Sequence, residues 1–175
     1  MKSLALLLAT CAALVPATAG AGAGAALPHT SNTLAEVNFK FDSAQLPADA
    51  KALLDPAVAY AARHSNTRIV LDAHCDPIGS APYNAGLAIR RAEQVRHQLI
   101  AAGVPEDQFV ISIYGEDGAR RASYADDRRV TLWWTQESLA EVSSDAFAAH
   151  STAVRWGRPM TVAEIQAAPE PVASR

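Results

Sequence analysis

Asp76 and Arg91 stand on either side of a turn between two patterned segments, and together they could hold a charged ligand. The run Ile69-Val70-Leu71-Asp72-Ala73 has the β-branched, mostly apolar character of a buried strand. Pro77, Gly79 and Pro82 follow it as turn residues, so Asp76 falls at the carboxyl end of that strand. From Leu87 the apolar residues Leu87, Ala88, Ala92, Val95 and Leu99 recur at helical spacing. Arg91 lies inside this inward stripe, whereas Gly86, Arg90, Gln94 and His97 fall on the solvent face. A buried guanidinium left unpaired is strongly destabilising, so Arg91 must meet an anion or a ligand, and Asp76 is the nearest candidate along the chain. A carboxylate acceptor beside a guanidinium fork suits a ligand with an ammonium and a carboxylate on one carbon, an amino-acid zwitterion. On spacing alone the pair is equally an internal salt bridge.

Other chemistries fit less well. His74 and Cys75 would be the candidates for a nucleophilic dyad, but successive strand residues point to opposite faces and cannot readily share a hydrogen bond. A metal site built from His74, Cys75 and Asp76 fails for the same reason and lacks a second ligand cluster. With 15 basic and 18 acidic residues the chain has no basic footprint for nucleic acid. The expectation is binding without turnover, with no metal and no cofactor.

The positioning elements follow from the patterning. Val37, Phe39 and Phe41 alternate with Glu36, Asn38 and Lys40 as a half-buried strand over 36–41, which Asp42 and Ser43 end. A helix over 48–63 carries Leu53, Leu54, Ala57, Val58 and Ala61, and Pro56 is expected to kink or split it. A strand over 68–74, a helix over 82–102 capped by Gly103, and strands over 109–114 and 128–134 complete the set. The order β-α-β-α-β-β predicts an α/β two-layer fold, a mixed sheet with its helices on one face.

Both ends read differently. Residues 1–19 combine Lys2, an apolar region from Leu4 to Val15 and Ala17-Thr18-Ala19, the pattern of a secretory signal peptide, so the protein is expected in the periplasm with an association to the outer membrane as one option. A lipoprotein box ending at Cys11 is the rival processing. Cleavage after Ala19 would leave Cys75 as the remaining cysteine, without a partner for an intramolecular disulfide. No later run reaches the ~18 apolar residues of a membrane span. Residues 20–34 form a Gly/Ala-rich leader and 35–135 the domain. Residues 136–175 form an extension with an amphipathic helix on Leu139, Val142, Ala146 and Ala149 and a shorter one opened by the capping box Thr161 to Glu164. The extension is expected to pack on the domain or to meet another envelope protein, and an exposed Trp156 would favour the second.

Four segments in order carry a resemblance. His74-Cys75-Asp76-x-x-Gly79, Tyr83-Asn84-x-x-Leu87 and Arg91-Ala92-x-x-Val95 resemble the signature of the OmpA-like peptidoglycan-binding domain, Phe39-Lys40-Phe41-Asp42-Ser43-Ala44 resembles its opening strand, and Asp127-Arg128-Arg129-Val130 its closing one. The resemblance implies the same two-layer fold and a ligand, the free end of meso-diaminopimelate in the stem peptide of Gram-negative peptidoglycan. Asp76 would then take the ammonium and Arg91 the carboxylate, with Asp42, Asn84 and Arg128 lining the pocket and Leu87 walling it. Beside these roles, Asp42 could simply cap the next segment and Asn84 could simply cap its helix. Three departures bear on the site: Cys75 stands for the family's Thr, Ala73 for its Gly, and Asp127 for its Asn, where a carboxylate could compete with the ligand for Arg128. The alternative function is an envelope protein-protein module that keeps the fold and has lost wall binding.

Overall fold

A computed structural model describes residues 32–117 and 122–167. The expected signal peptide, Cys11, nearly all of the leader and the last residues of the extension lie outside these described residues.

The elements run β1 (Thr33–Asn38), α1 (Ala50–Ala61), β2 (Arg68–His74), α2 (Ala81–Ala101), a short 3-10 turn (Glu106–Gln108), β3 (Phe109–Gly115), α3 (Tyr124–Asp127), β4 (Arg129–Thr135), α4 (Leu139–Ala148), β5 (Ala153–Trp156) and α5 (Val162–Ala167). The strands form one mixed sheet in the order β1-β4-β2-β3-β5, with β2 and β3 parallel and the other pairs antiparallel. The α/β architecture is the one expected, and β4 sits between β1 and β2. This order sets the start of β4 beside the carboxyl end of β2, with Ala73 opposite Val130.

Alternation along the strands divides the residues between two faces. Ile69, Leu71 and Ala73 of β2 join Ile111 and Ile113 of β3, Leu54 and Ala57 of α1, and Ala88, Ala92, Val95 and Leu99 of α2 in the main core. A second, smaller core on the opposite face joins Val70, Val110 and Trp133 to Val142 of α4. The domain's helices α1 and α2 lie on one face, as expected, and α4 of the extension covers the other. Ser138 opens α4 with a complete capping box, and the amphipathic pattern of Leu139 and Val142 needs an apolar partner, which the back of the sheet supplies. The extension also contributes a strand, which its helical patterning did not suggest. The four residues Ala-Val-Arg-Trp of β5 are too short for a period-2 signal, and pairing with the β3 edge makes them a strand.

Three boundaries also differ. Thr33 and Leu34, assigned above to the leader, belong to β1. The strand ends at Asn38 rather than Phe41. Phe41 is 58% exposed and lies in a turn, because Asp42 adopts φ +50 and reverses the chain. Pro56 sits inside a continuous α1 rather than splitting it.

The second face also buries Asp72, whose carboxylate accepts from Trp133 Nε1 at 2.8 Å. Burial pushes its pKa from the ordinary value of 3.8 to about 7, against hydrogen bonds from Trp133 and Ser112 and the charge of Arg129. The native state therefore keeps this proton between about pH 4 and pH 7 while the unfolded chain loses it, so stability falls as pH rises through that window and levels off above it. Asp72→Asn keeps an acceptor for Trp133 and should flatten this slope. Its melting temperature is expected to exceed wild type by roughly 5 °C at pH 8 and to match it near pH 4, measured by circular dichroism.

Candidate ligand-binding site

Loops at the carboxyl end of β2 and the start of α2 build the site. Cys75 N donates to the Gly115 carbonyl at 2.6 Å, which holds the segment after β2 against the end of β3. Gly115 adopts φ +57, and a Cβ there would come within 3.3 Å of the Ala85 backbone nitrogen, so α2 can start this close only over a glycine. Ser80 is the N-cap of α2. Asn84 lies inside the helix and is not its cap; it is buried and clamps the loop by donating from Nδ2 to the Asp76 carbonyl at 3.3 Å and to Glu116 Oε2 at 2.6 Å. Glu116 is a further participant, and its link to Asn84 depends on β3 lying beside α2.

Arg91 is fully buried, as the helical stripe requires, but its partners differ from those expected. Its Nε donates to the Ser43 carbonyl at 2.9 Å, Nη2 to the Lys40 carbonyl at 3.2 Å, and Nη1 to the His74 carbonyl at 3.2 Å and to Cys75 Sγ at 3.3 Å. Its guanidinium also lies 5.2 Å from the centre of the Phe39 ring. Burial lowers the pKa of Arg91 from the ordinary arginine value, and the neighbouring Asp76 charge opposes that shift. The direct Asp76–Arg91 pair is therefore not what the structure contains. Asp76 Oδ2 accepts from Arg128 Nη1 at 3.0 Å, and Oδ1 accepts from the Ile78 backbone N–H at 3.1 Å. The reason is topological: β4 lies next to β2, so the residue just before β4 reaches Asp76, while Arg91 aims under the loops at carbonyl oxygens.

Arg128 also donates from Nε to the Phe39 carbonyl at 3.1 Å. Two arginines thus grip the chain between β1 and α1, which fixes the turn that carries Asp42. The Asp42 carboxylate accepts from the Tyr83 hydroxyl rather than capping α1, whose N-cap is Asp49. The departures are accommodated: Asp127 pairs with Arg129 Nη1 at 3.6 Å rather than with Arg128, Ala73 is an ordinary buried ladder residue, and the Cys75 thiol donates to the Asn84 carbonyl at 3.2 Å. Burial pushes that thiol up to about 11, so at neutral pH it is no nucleophile.

Leu87 is buried at the floor of an adjoining cavity of about 700 Å³. Asp42, Tyr83 and Arg90 line it from the domain, and Ile165 and Gln166 of α5 line it from the extension. The side of α2 expected to face solvent is thereby partly covered, and no signal in the sequence placed α5 there.

The sheet and the α1/α2 layer, with the candidate site at the β2–α2 turn, fit an OmpA-type domain, and the chain belongs to the OmpA family, whose model matches residues 38–131. It is 36% identical over 103 residues to the peptidoglycan-associated lipoprotein of Rhizobium meliloti, covering 56% of this chain and 58% of that protein. With the peptidoglycan-associated lipoprotein of Agrobacterium fabrum it shares 34% identity over 126 residues, 66% of this chain and 71% of the relative. Among solved structures it is similar to the peptidoglycan-associated lipoprotein of Burkholderia pseudomallei, with a TM-score of 0.52, 30% identity and coverage of 58% of this chain and 90% of the other. The C-terminal domain of Helicobacter pylori MotB shares the fold, with a TM-score of 0.51 at 17% identity over 65% of this chain and 92% of that domain. The chain spans little more than half the length of the Rhizobium meliloti relative. The names of the first two relatives describe association with peptidoglycan. Among the described residues no helix is long and apolar enough to cross a membrane.

Proposed function

We propose that this protein binds peptidoglycan noncovalently and without turnover, through the meso-diaminopimelate of the stem peptide, and so positions an envelope protein at the cell wall. The observation that carries this reading is the Asp76–Arg128 pair at the turn between β2 and α2, with the Arg128 side chain 16% exposed and Arg91 buried beneath. Each Asp76 oxygen already accepts one hydrogen bond and keeps a lone pair, which an ammonium can use. The ligand carboxylate lies between Arg128, the guanidinium that solvent reaches, and Arg91, which donates four hydrogen bonds to the protein and retains one of its five N–H groups on Nη2. Asn84 and Asp42 hold the two loops that frame this position, and Leu87 walls its apolar side. The relatives named as peptidoglycan-associated lipoproteins support the same reading.

Purified protein should co-sediment with sacculi that contain diaminopimelate and should lose at least about tenfold in retention on walls that carry lysine instead, since lysine lacks the second carboxylate. Equal retention on both walls would overturn the proposal. Exposure of Trp156, 54% on the edge strand β5, favours a second reading, an envelope protein-protein module. No retention on either wall would select it. The periplasm is the proposed location, reached by the signal peptide over residues 1–19. Mass spectrometry of the mature protein should find an N-terminus near Gly20, and an acylated Cys11 would instead make the protein a lipoprotein tether.

A further inference from the structure

The cavity beside Asp42 is larger than the contact between one amino-acid end and the Asp76–Arg128 pair requires. It is an open cleft of about 700 Å³, within the range of roughly 300–1,000 Å³ for ligand clefts. Its polar lining adds three primary amides to the charged Asp42 and Arg90. Gln45 from the turn before α1, Gln94 from α2 and Gln166 from α5 border a floor made of Leu46, Leu87 and Ile165. Primary amides can both donate and accept, which matches the alternating N–H and C=O groups of a peptide, and the apolar floor suits small aliphatic side chains. Tyr83, which lines the cavity, bonds Asp42, and Asn84, the next residue in the chain, holds the Asp76 loop, so these two residues tie the cavity wall to the charge-pairing loop.

The α5 wall is built in place. Ile165 is 3% exposed, and Thr161 and Glu164 close a capping box at the start of α5, with Thr161 N to Glu164 Oε2 at 2.6 Å and Glu164 N to Thr161 Oγ1 at 3.2 Å. Arg158 pairs with Glu164 at 2.8 Å. The connection from β5 is fastened to α2 where His97 Nε2 meets the Met160 carbonyl at 2.6 Å and Met160 N donates to Glu93 at 3.3 Å. Ile165 and Gln166 lie beyond residues 38–131, so this wall belongs to the extension and not to the matched domain.

The geometry points to a second subsite: the cavity walled by α5 takes the peptide that carries the diamino acid, its backbone amides pairing with Gln94 and Gln166 over Leu87 and Ile165. This rests on the wall-binding reading above, and it makes the extension a specificity element that selects peptide-linked over free diaminopimelate.

Calorimetric titration of the full chain with free meso-diaminopimelate and with a tripeptide ending in it tests the inference. Wild type is expected to bind the tripeptide more tightly than the free amino acid. Gln166→Leu and Gln94→Leu should each weaken the tripeptide about 5- to 20-fold and leave free diaminopimelate within about twofold, with melting temperatures unchanged. Tripeptide affinity that is unchanged in both variants overturns the subsite. Tighter tripeptide binding overturns it as well, since α5 would then obstruct the cavity. Wild type that binds neither probe removes the wall-binding reading itself, which separates that failure from failure of the subsite alone.

Discussion

Arg91→Ala is expected to lower the melting temperature by roughly 10–20 °C, because the guanidinium is a structural hub. It meets the carbonyls of Lys40, Ser43 and His74 and lies over Phe39, all from the centre of the molecule. Each buried acceptor left without its charged donor costs about 1–3 kcal/mol, and a cavity opens where the side chain was, so the loss is on the order of 3–6 kcal/mol. Arg91→Lys should recover only part of it, since one ammonium cannot span carbonyls on both sides of the β1–α1 turn. Thermal melts followed by circular dichroism check this. A variant melting within about 3 °C of wild type would show that these bonds contribute little.

The second large effect concerns Glu93, which is fully buried on α2 and unites the domain with its extension. Its carboxylate meets Arg96 Nη2 at 2.9 Å and Met160 N at 3.3 Å, with Arg155 Nε 3.9 Å away. Arg96 is itself 1% exposed and donates from Nη1 to the Gly157 carbonyl at 3.3 Å. Burial already lowers the pKa of Arg96, so removing Glu93 leaves a buried cation without its main counter-charge. Breaking one partner of such a pair costs about 3–5 kcal/mol. Glu93→Met should therefore melt roughly 10 °C lower, with amide exchange accelerating first across 157–167. The double variant Glu93→Met with Arg96→Met should recover much of the loss, because neither charge is then stranded. A double variant no better than the single one would show that the pair is not what fastens the extension.

The sequence patterns were most legible where one periodicity ran long enough to be unambiguous. The strands β2 and β3 and the 21 residues of α2 lie within a residue or so of their expected bounds. They were least legible where tertiary contact decides: Ala153–Trp156 becomes a strand only because β3 has a free edge, and Phe41 continues the alternation of β1 yet turns outward at Asp42. The site shows the same division. Burial of Arg91 and the placing of Asp76 after a strand follow from local pattern alone. Their pairing did not, because proximity along the chain favoured Arg91 while sheet order delivered Arg128 from 52 residues away. Gln166 and Ile165 carried no signal at all, since nothing local says that a short helix after β5 folds back onto α2.

Asp76→Asn, titrated with meso-diaminopimelate and melted in parallel, tests the central claim most directly. The substitution keeps the shape of the side chain and removes its charge, and Arg128, being partly exposed, can be hydrated in the variant. The expected result is a Kd raised at least thirtyfold, corresponding to about 2 kcal/mol or more of lost binding, with a melting temperature within about 5 °C of wild type. Diaminopimelate bound as tightly as by wild type, in a variant whose melt has collapsed, would show that Asp76 serves the fold and not the ligand.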